Sequence, residues 1–214
     1  MKKIFPFIFF VVFLLSTSVA SAAGIIINAD IPVVKANIIQ FMMKKYNDAI
    51  IVADTENSIT FNRQSIGDPL AGEYNLSYYF TFFRSENKTI LNFNGKLFRS
   101  NVLANTSRTA NQKEINNFIS IIKFCCDGRY VFGFDLDGLK VKSVTSNSLA
   151  AKAGLKVGDK IKTINGVKVK KEDLYFIGVN NAITMVVKRD DNEVTIVMEG
   201  TLQSGEEYKK LIGI

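Results

Sequence analysis

The sequence predicts an α+β chain of two domains, and three observations carry that reading. Apolar residues recur at helical spacing in two segments, one around Val34 and one around Phe118. Between them lie two runs of strand-like alternation, YNLSYYFTFF and TILNFNGKLF. Beyond residue 128 the pattern changes to short strands separated by Gly-Asp and Asn-Gly turns.

In the first half, Val34, Ile38, Phe41 and Met42 place a helix over about residues 33–46. AIIVADT and SITFNR follow as short strands around Glu56-Asn57. Tyr74, Leu76, Tyr78, Phe80 and Phe82 then share one face of a strand, and Leu91, Phe93 and Leu97 one face of the next, so the two form an antiparallel hairpin across SENK. Ile115, Phe118, Ile119 and Ile122 restore helical spacing, with Asn111 or Gln112 near the helix start and Gly128 able to end it. The polar stretch 99–113 reads as a loop within this unit. The order of helix, four strands and helix predicts helices packed on one face of an antiparallel sheet, over residues 30–124, with residues 23–29 as an extension. Its aromatic face has two uses: to fill the core, or to enclose a small molecule or lipid against Tyr78, Phe80, Phe82 and Phe93. Filling is the expected one, because a two-layer domain must bury such a face.

Met1-Lys2-Lys3 precedes the apolar run IFPFIFFVVFLL, which is short for a membrane span, and Ala20-Ser21-Ala22 supplies a signal-peptidase pattern. Residues 1–22 are therefore expected to be a secretory signal, and the mature chain periplasmic or secreted. An uncleaved signal would instead anchor it to the membrane. The formal net charge is +7, falling to about +5 without Lys2 and Lys3. Lysines are spread along the chain with no arginine cluster, so no nucleic-acid partner is expected; weak attraction to an anionic membrane surface is compatible with the charge. Histidine is absent. That excludes imidazole-based Ser-His-Asp and Cys-His catalysis. The adjacent Cys125 and Cys126 make a poor metal site, and no cofactor is expected. In an oxidising compartment they pair between molecules or remain buried thiols.

In the second half, GLKVKSV reads as a strand, Ser148 caps a short helix containing Ala150, Ala151 and Ala153, and Gly154 ends it. Gly158-Asp159 turns the chain, DKIKTI is a strand, Asn165-Gly166 a hairpin turn, and KKEDLYFIG a brief second helix. AITMVVKR and EVTIVM close the unit as a hairpin. The run SNSLAAKAGLKVGDKIKTINGVKV, residues 146–169, resembles the PDZ family, and the resemblance covers residues 130–198. It implies a partly open β-barrel with short helices and a peptide-binding groove between a strand edge and the second helix, within a domain spanning 125–200. By that resemblance Val131, Phe132, Gly133 and Phe134 form the loop before the binding strand, with Val131 where the family has a glycine. Phe134, Asp135 and Leu136 are the candidate edge and Leu174 and Ile177 line the pocket for the guest's last side chain; Arg129 either adds charge near its carboxylate or is an exposed loop arginine. A strand edge and a nest of backbone amides suffice for such binding without reactive side chains.

Two fragments have the spacing of catalytic groups. Ser120 and Lys123 have Ser-x-x-Lys spacing, but isoleucines surround them on a predicted helix; Asp54-Thr55 lacks the glycine that an aspartic-protease loop needs. The chain is therefore expected not to be an enzyme. The last residues, Ile212-Gly213-Ile214, resemble a PDZ ligand, so the tail is a candidate occupant of its own groove. Ser204 and Glu207 instead have capping-box spacing, with Tyr208, Leu211 and Ile212 on one face, and this local signal favours a terminal helix.

Overall fold

A computed structural model describes residues 24–66, 73–100 and 105–214. The expected signal at 1–22 lies outside the described residues. Among those described, no helix is long and apolar enough to cross a membrane.

The first domain comprises β1 (Ile25–Ile27), α1 (Ile31–Lys45), β2 (Ala49–Thr55), β3 (Ser58–Ile66), β4 (Glu73–Ser85), β5 (Lys88–Ser100), β6 (Asn105–Thr109) and α2 (Gln112–Asp127). Its antiparallel sheet has the order β1-β5-β4-β3-β2, and β6 also pairs with β5. Two elements differ from expectation. Part of the presumed extension is β1, bonded along Thr89–Leu91, and part of the presumed loop is β6, bonded along Lys96–Ser100. Strand β5 is 13 residues long, and β1 and β6 together cover the outer edge that β4 leaves open.

The alternating face forms the core as its spacing predicts: Tyr78, Phe80 and Phe82 lie opposite Gly95, Phe93 and Leu91. Val34, Ile38, Phe41 and Met42 of α1 and Phe118, Ile119 and Ile122 of α2 close over it. The Phe118 ring lies 4.7 Å from Phe93, 5.3 Å from Tyr78, 5.7 Å from Phe41 and 6.4 Å from Phe80. Each such pair contributes roughly 0.5–1.5 kcal/mol beyond area burial. The aromatics proposed as a ligand cage thus fill one another's space, which removes the sequence-based case for a small-molecule or lipid cavity in this sheet.

Helix α2 begins at a capping box in which the Asn111 side chain accepts from the Glu114 amide and Glu114 accepts from the Asn111 amide. It ends at Gly128, whose φ of +74° suits a glycine. Cys125 and Cys126 lie within it as free thiols, both pushed up to about 12 by burial.

The second domain follows with β7 (Arg129–Val131), β8 (Phe134–Asp137), β9 (Lys140–Val144), α3 (Leu149–Lys152), β10 (Lys160–Ile164) and β11 (Val167–Lys168). A 3-10 helix (Lys171–Val179), β12 (Ala182–Arg189), β13 (Asn192–Glu199) and β14 (Thr201–Gln203) complete it. The main sheet has the order β13-β12-β10-β9-β8 with β11 beside β10, and β7 pairs separately with β14. The sheet does not close, so β8 is an end strand. Because β14 pairs with β7, this unit extends to Gln203. Val141, Ile161, Ile183, Met185, Val187 and Ile196 fill its core.

One buried ion pair ties the unit together. The Asp159 side chain, 1% exposed, accepts from Arg189 Nε and Nη2, each at 2.8 Å, and from the Lys156 amide at 2.9 Å. Arg189 also donates to the Gly154 carbonyl at 2.7 Å. The guanidinium holds the Asp159 carboxyl below its ordinary range.

The tail folds as α4 (Gly205–Ile212), with the Ser204–Glu207 capping box in place. Tyr208 is buried against Phe124 and Cys125, and Ile212 and Ile214 pack beside it. Leu211 is 61% exposed, so the packed face runs through Tyr208 and Ile212, one helical turn apart, and not through Leu211. Here the tail packs on α2 and does not occupy the groove.

Candidate functional site

Strand β8 pairs with β9 on one side, and its other edge faces the 3-10 helix across a groove of about 780 Å³. All nine residues singled out in the sequence line that groove: Arg129, Val131, Phe132, Gly133, Phe134, Asp135, Leu136, Leu174 and Ile177.

The backbone explains why the edge is available. Phe134 lies opposite Val144, and the Thr145 amide donates to the Gly133 carbonyl at 2.8 Å, the pattern of a pair whose own amide and carbonyl point away from each other. Phe134 therefore presents its N–H and C=O to the groove. The Ala150 amide takes the Phe132 carbonyl at 2.9 Å, and the Ser148 hydroxyl donates to the Gly133 carbonyl at 3.1 Å. In a trans peptide the amide opposes the carbonyl, so α3 gripping these carbonyls turns the Gly133 and Phe134 amides the other way. The Gly133 amide has no protein acceptor among the described residues.

Gly133 has φ +83°, and a Cβ there would lie 2.3 Å from the Ser148 Cβ. Only glycine fits. Val131, by contrast, stands in β7 opposite Thr201, where a β-branched residue is at home and no glycine is needed. Replacement of the family's glycine at this position therefore leaves the loop intact.

Arg129 is not a free loop residue. Its Nε donates to Gln203 Oε1 at 2.8 Å and its guanidinium lies 4.9 Å from the Tyr208 ring centre, so strand β14 and helix α4 hold it at the groove wall. Leu174 and Ile177 face the groove from the 3-10 helix while packing on the second core. Sequence reasoning missed Lys113, Lys171 and Glu172 at the rim. Lys113 comes from α2 of the first domain, brought there because α2 packs along the 3-10 helix and Asn116 donates to the Glu172 carbonyl at 3.0 Å. No local pattern in the sequence announces that contact.

The fragments with catalytic spacing are engaged elsewhere. The Ser120 hydroxyl donates to the Asn117 carbonyl at 3.0 Å. Lys123 donates to the Ile26 carbonyl at 2.8 Å and to Asp127 at 2.7 Å, and Asp127 also receives the Asn28 amide, so the lysine fastens β1 to α2. Asp54 pairs with Lys35. Among the described residues no group of three or more histidine, cysteine, aspartate or glutamate side chains is placed to hold a metal.

No curated protein sequence matches the chain. Among solved structures, the HtrA3 PDZ domain bound to a phage-derived ligand is similar at 18% identity, covering 37% of this chain and 88% of that one, with a TM-score of 0.30. The HtrA-type protease AlgW with a decapeptide is similar at 14% identity, covering 68% of this chain and 56% of that one, with a TM-score of 0.35. A serine endoprotease from Yersinia pestis is similar at 12% identity, covering 67% and 89%, with a TM-score of 0.32. The chain thus spans less than two thirds of the AlgW chain. Residues 140–189 match the family model of the PDZ domain, and no family model matches the first domain. With that match added to the open strand edge, the short α3 and the 3-10 helix across the groove, the chain carries a PDZ domain around residues 140–189.

Proposed function

We propose that the chain is a non-catalytic envelope or secreted protein whose groove binds an extended protein C-terminus by adding it as a strand along β8. The observation that carries this reading is the free edge at Phe134, set beside the unpartnered Gly133 amide and opposite Leu174 and Ile177. A guest strand satisfies the edge, its terminal carboxylate takes the amides, and its last side chain enters the apolar wall. Burying one aliphatic side chain stabilises by roughly 1.5–3 kcal/mol, and each added backbone hydrogen bond by about 1 kcal/mol, against the cost of ordering the guest. Contributions of that size give weak, reversible binding, suited to docking or sensing. The signal-like residues 1–22 support export, and the absence of histidine together with the occupied Ser120 and Lys123 supports a role without catalysis.

The test is fluorescence anisotropy with a library of labelled peptides, each with a free or an amidated C-terminus, against the wild type and Leu174→Lys. Reversible binding that needs the free carboxylate and is lost in Leu174→Lys supports the reading. Absence of binding, or equal binding by the variant, overturns it. Gly133 is the wrong residue to substitute, because any side chain there collides with Ser148 and disturbs the fold itself.

A further inference from the structure

Two carboxylates, Asp135 and Asp137, line the groove on β8. On β8 the side chains alternate: Phe134 and Leu136 are half-buried on the core, whereas Asp135 and Asp137 are exposed on the opposite face. Asp135 accepts from Ser143 at 2.9 Å, and neither carboxylate is in an ion pair among the described residues. Both line the groove beside the free edge. A strand laid along that edge alternates in the same way. Its last and third-from-last side chains face the Leu174 and Ile177 wall, so its second- and fourth-from-last side chains lie on the face of Asp135 and Asp137.

Side chains directly opposite across an antiparallel pair are about 4.5–5.5 Å apart at Cβ, and opposite charges there attract. Resting on the strand-addition reading above, we infer that the partner is a C-terminal segment with an aliphatic last residue and lysine or arginine at the second- and fourth-from-last positions. Lys113 lines the groove from α2, but Lys171 of the 3-10 helix reaches Gly138 at the end of β8 and Lys140 lies opposite Asp137 on β9, so the preference for a basic residue is strongest at the second-from-last position, beside Asp135.

The experiment uses three labelled eight-residue peptides that all end in the same aliphatic residue and carry lysine, alanine or glutamate at those two positions. They are titrated against the full mature chain and against Asp135→Asn/Asp137→Asn and Asp135→Lys/Asp137→Lys. Both aspartates are exposed, so the variants are expected to fold. The lysine peptide should bind several-fold tighter than the alanine peptide at low salt, with the gap shrinking in high salt, vanishing in the asparagine variant and reversing toward the glutamate peptide in the lysine variant. Equal affinity of all three peptides for the wild type overturns the charge assignment while leaving strand addition intact. Failure of all three to bind overturns the reading of the groove, and the assignment with it.

Discussion

Replacing Asp159 by alanine should loosen the PDZ domain and its binding loop together. The carboxylate is buried and accepts three hydrogen bonds, two from Arg189 and one from the Lys156 amide. Removing one partner of a buried pair costs about 3–5 kcal/mol. The lower end applies here: the Arg189 side chain is 24% exposed and keeps its bond to Gly154, so it can turn toward water. A loss of about 3 kcal/mol corresponds to about 6–12 °C in Tm for a chain of this size. Because Arg189 also holds the Gly154 carbonyl at the end of α3, and α3 grips the Phe132 and Gly133 carbonyls, peptide affinity should fall as well. The folded-state pKa of Asp159 is depressed, so its contribution is fully present above the unfolded value near 4 and is lost as pH falls through the folded one. Denaturant unfolding of wild type and variant from pH 7 to pH 2 therefore should give two stability curves that converge below about pH 4. A difference under about 1 kcal/mol at pH 7, the value of an ordinary surface pair, would refute the argument.

Other consequences can be checked alongside. Phe118→Ala should destabilise the first domain by about 3–5 kcal/mol in thermal or denaturant unfolding, since five aromatic rings lie around that side chain; a loss below about 1 kcal/mol would mean the core is not filled as described. Both thiols are pushed up to about 12, so native protein at pH 8 should resist iodoacetamide and label at both cysteines only when unfolded. Arg108 holds the Glu114 carboxyl down to about 2, so the α2 cap should weaken only as pH falls from about 4 toward 2, and Glu114→Ala should remove roughly 1 kcal/mol at pH 7, discounted for its partial exposure.

The sequence made some of this legible and hid the rest for identifiable reasons. Tyr78, Phe80 and Phe82 declared their face through a period of two, and Asn111, Ser148 and Ser204 declared helix starts, because both signals are local. Strands β1 and β6 stayed hidden: Ile25–Ile27 and Asn105–Thr109 carry no alternation and exist because β4 pairs with one edge of β5 along its whole length and leaves the other edge for them. The Asp159–Arg189 clamp joins residues 30 apart, so Gly158-Asp159 read only as a turn. The groove residues could be named because residues 146–169 resemble the PDZ family, and that resemblance implies a loop, a strand edge and a facing helix at fixed places around them. The rim lysine of α2 could not, because it reaches the groove only through packing between domains.

The most direct test of the central claim is an amide NMR titration of the mature chain with a C-terminal peptide. Strand addition along β8 should shift the amides of Gly133 and Phe134 most, slow hydrogen exchange along Phe134–Asp137, and leave the β4 and β5 amides of the first domain unmoved. Shifts confined to the first domain, or peptide binding that leaves Gly133 and Phe134 unchanged, would contradict it.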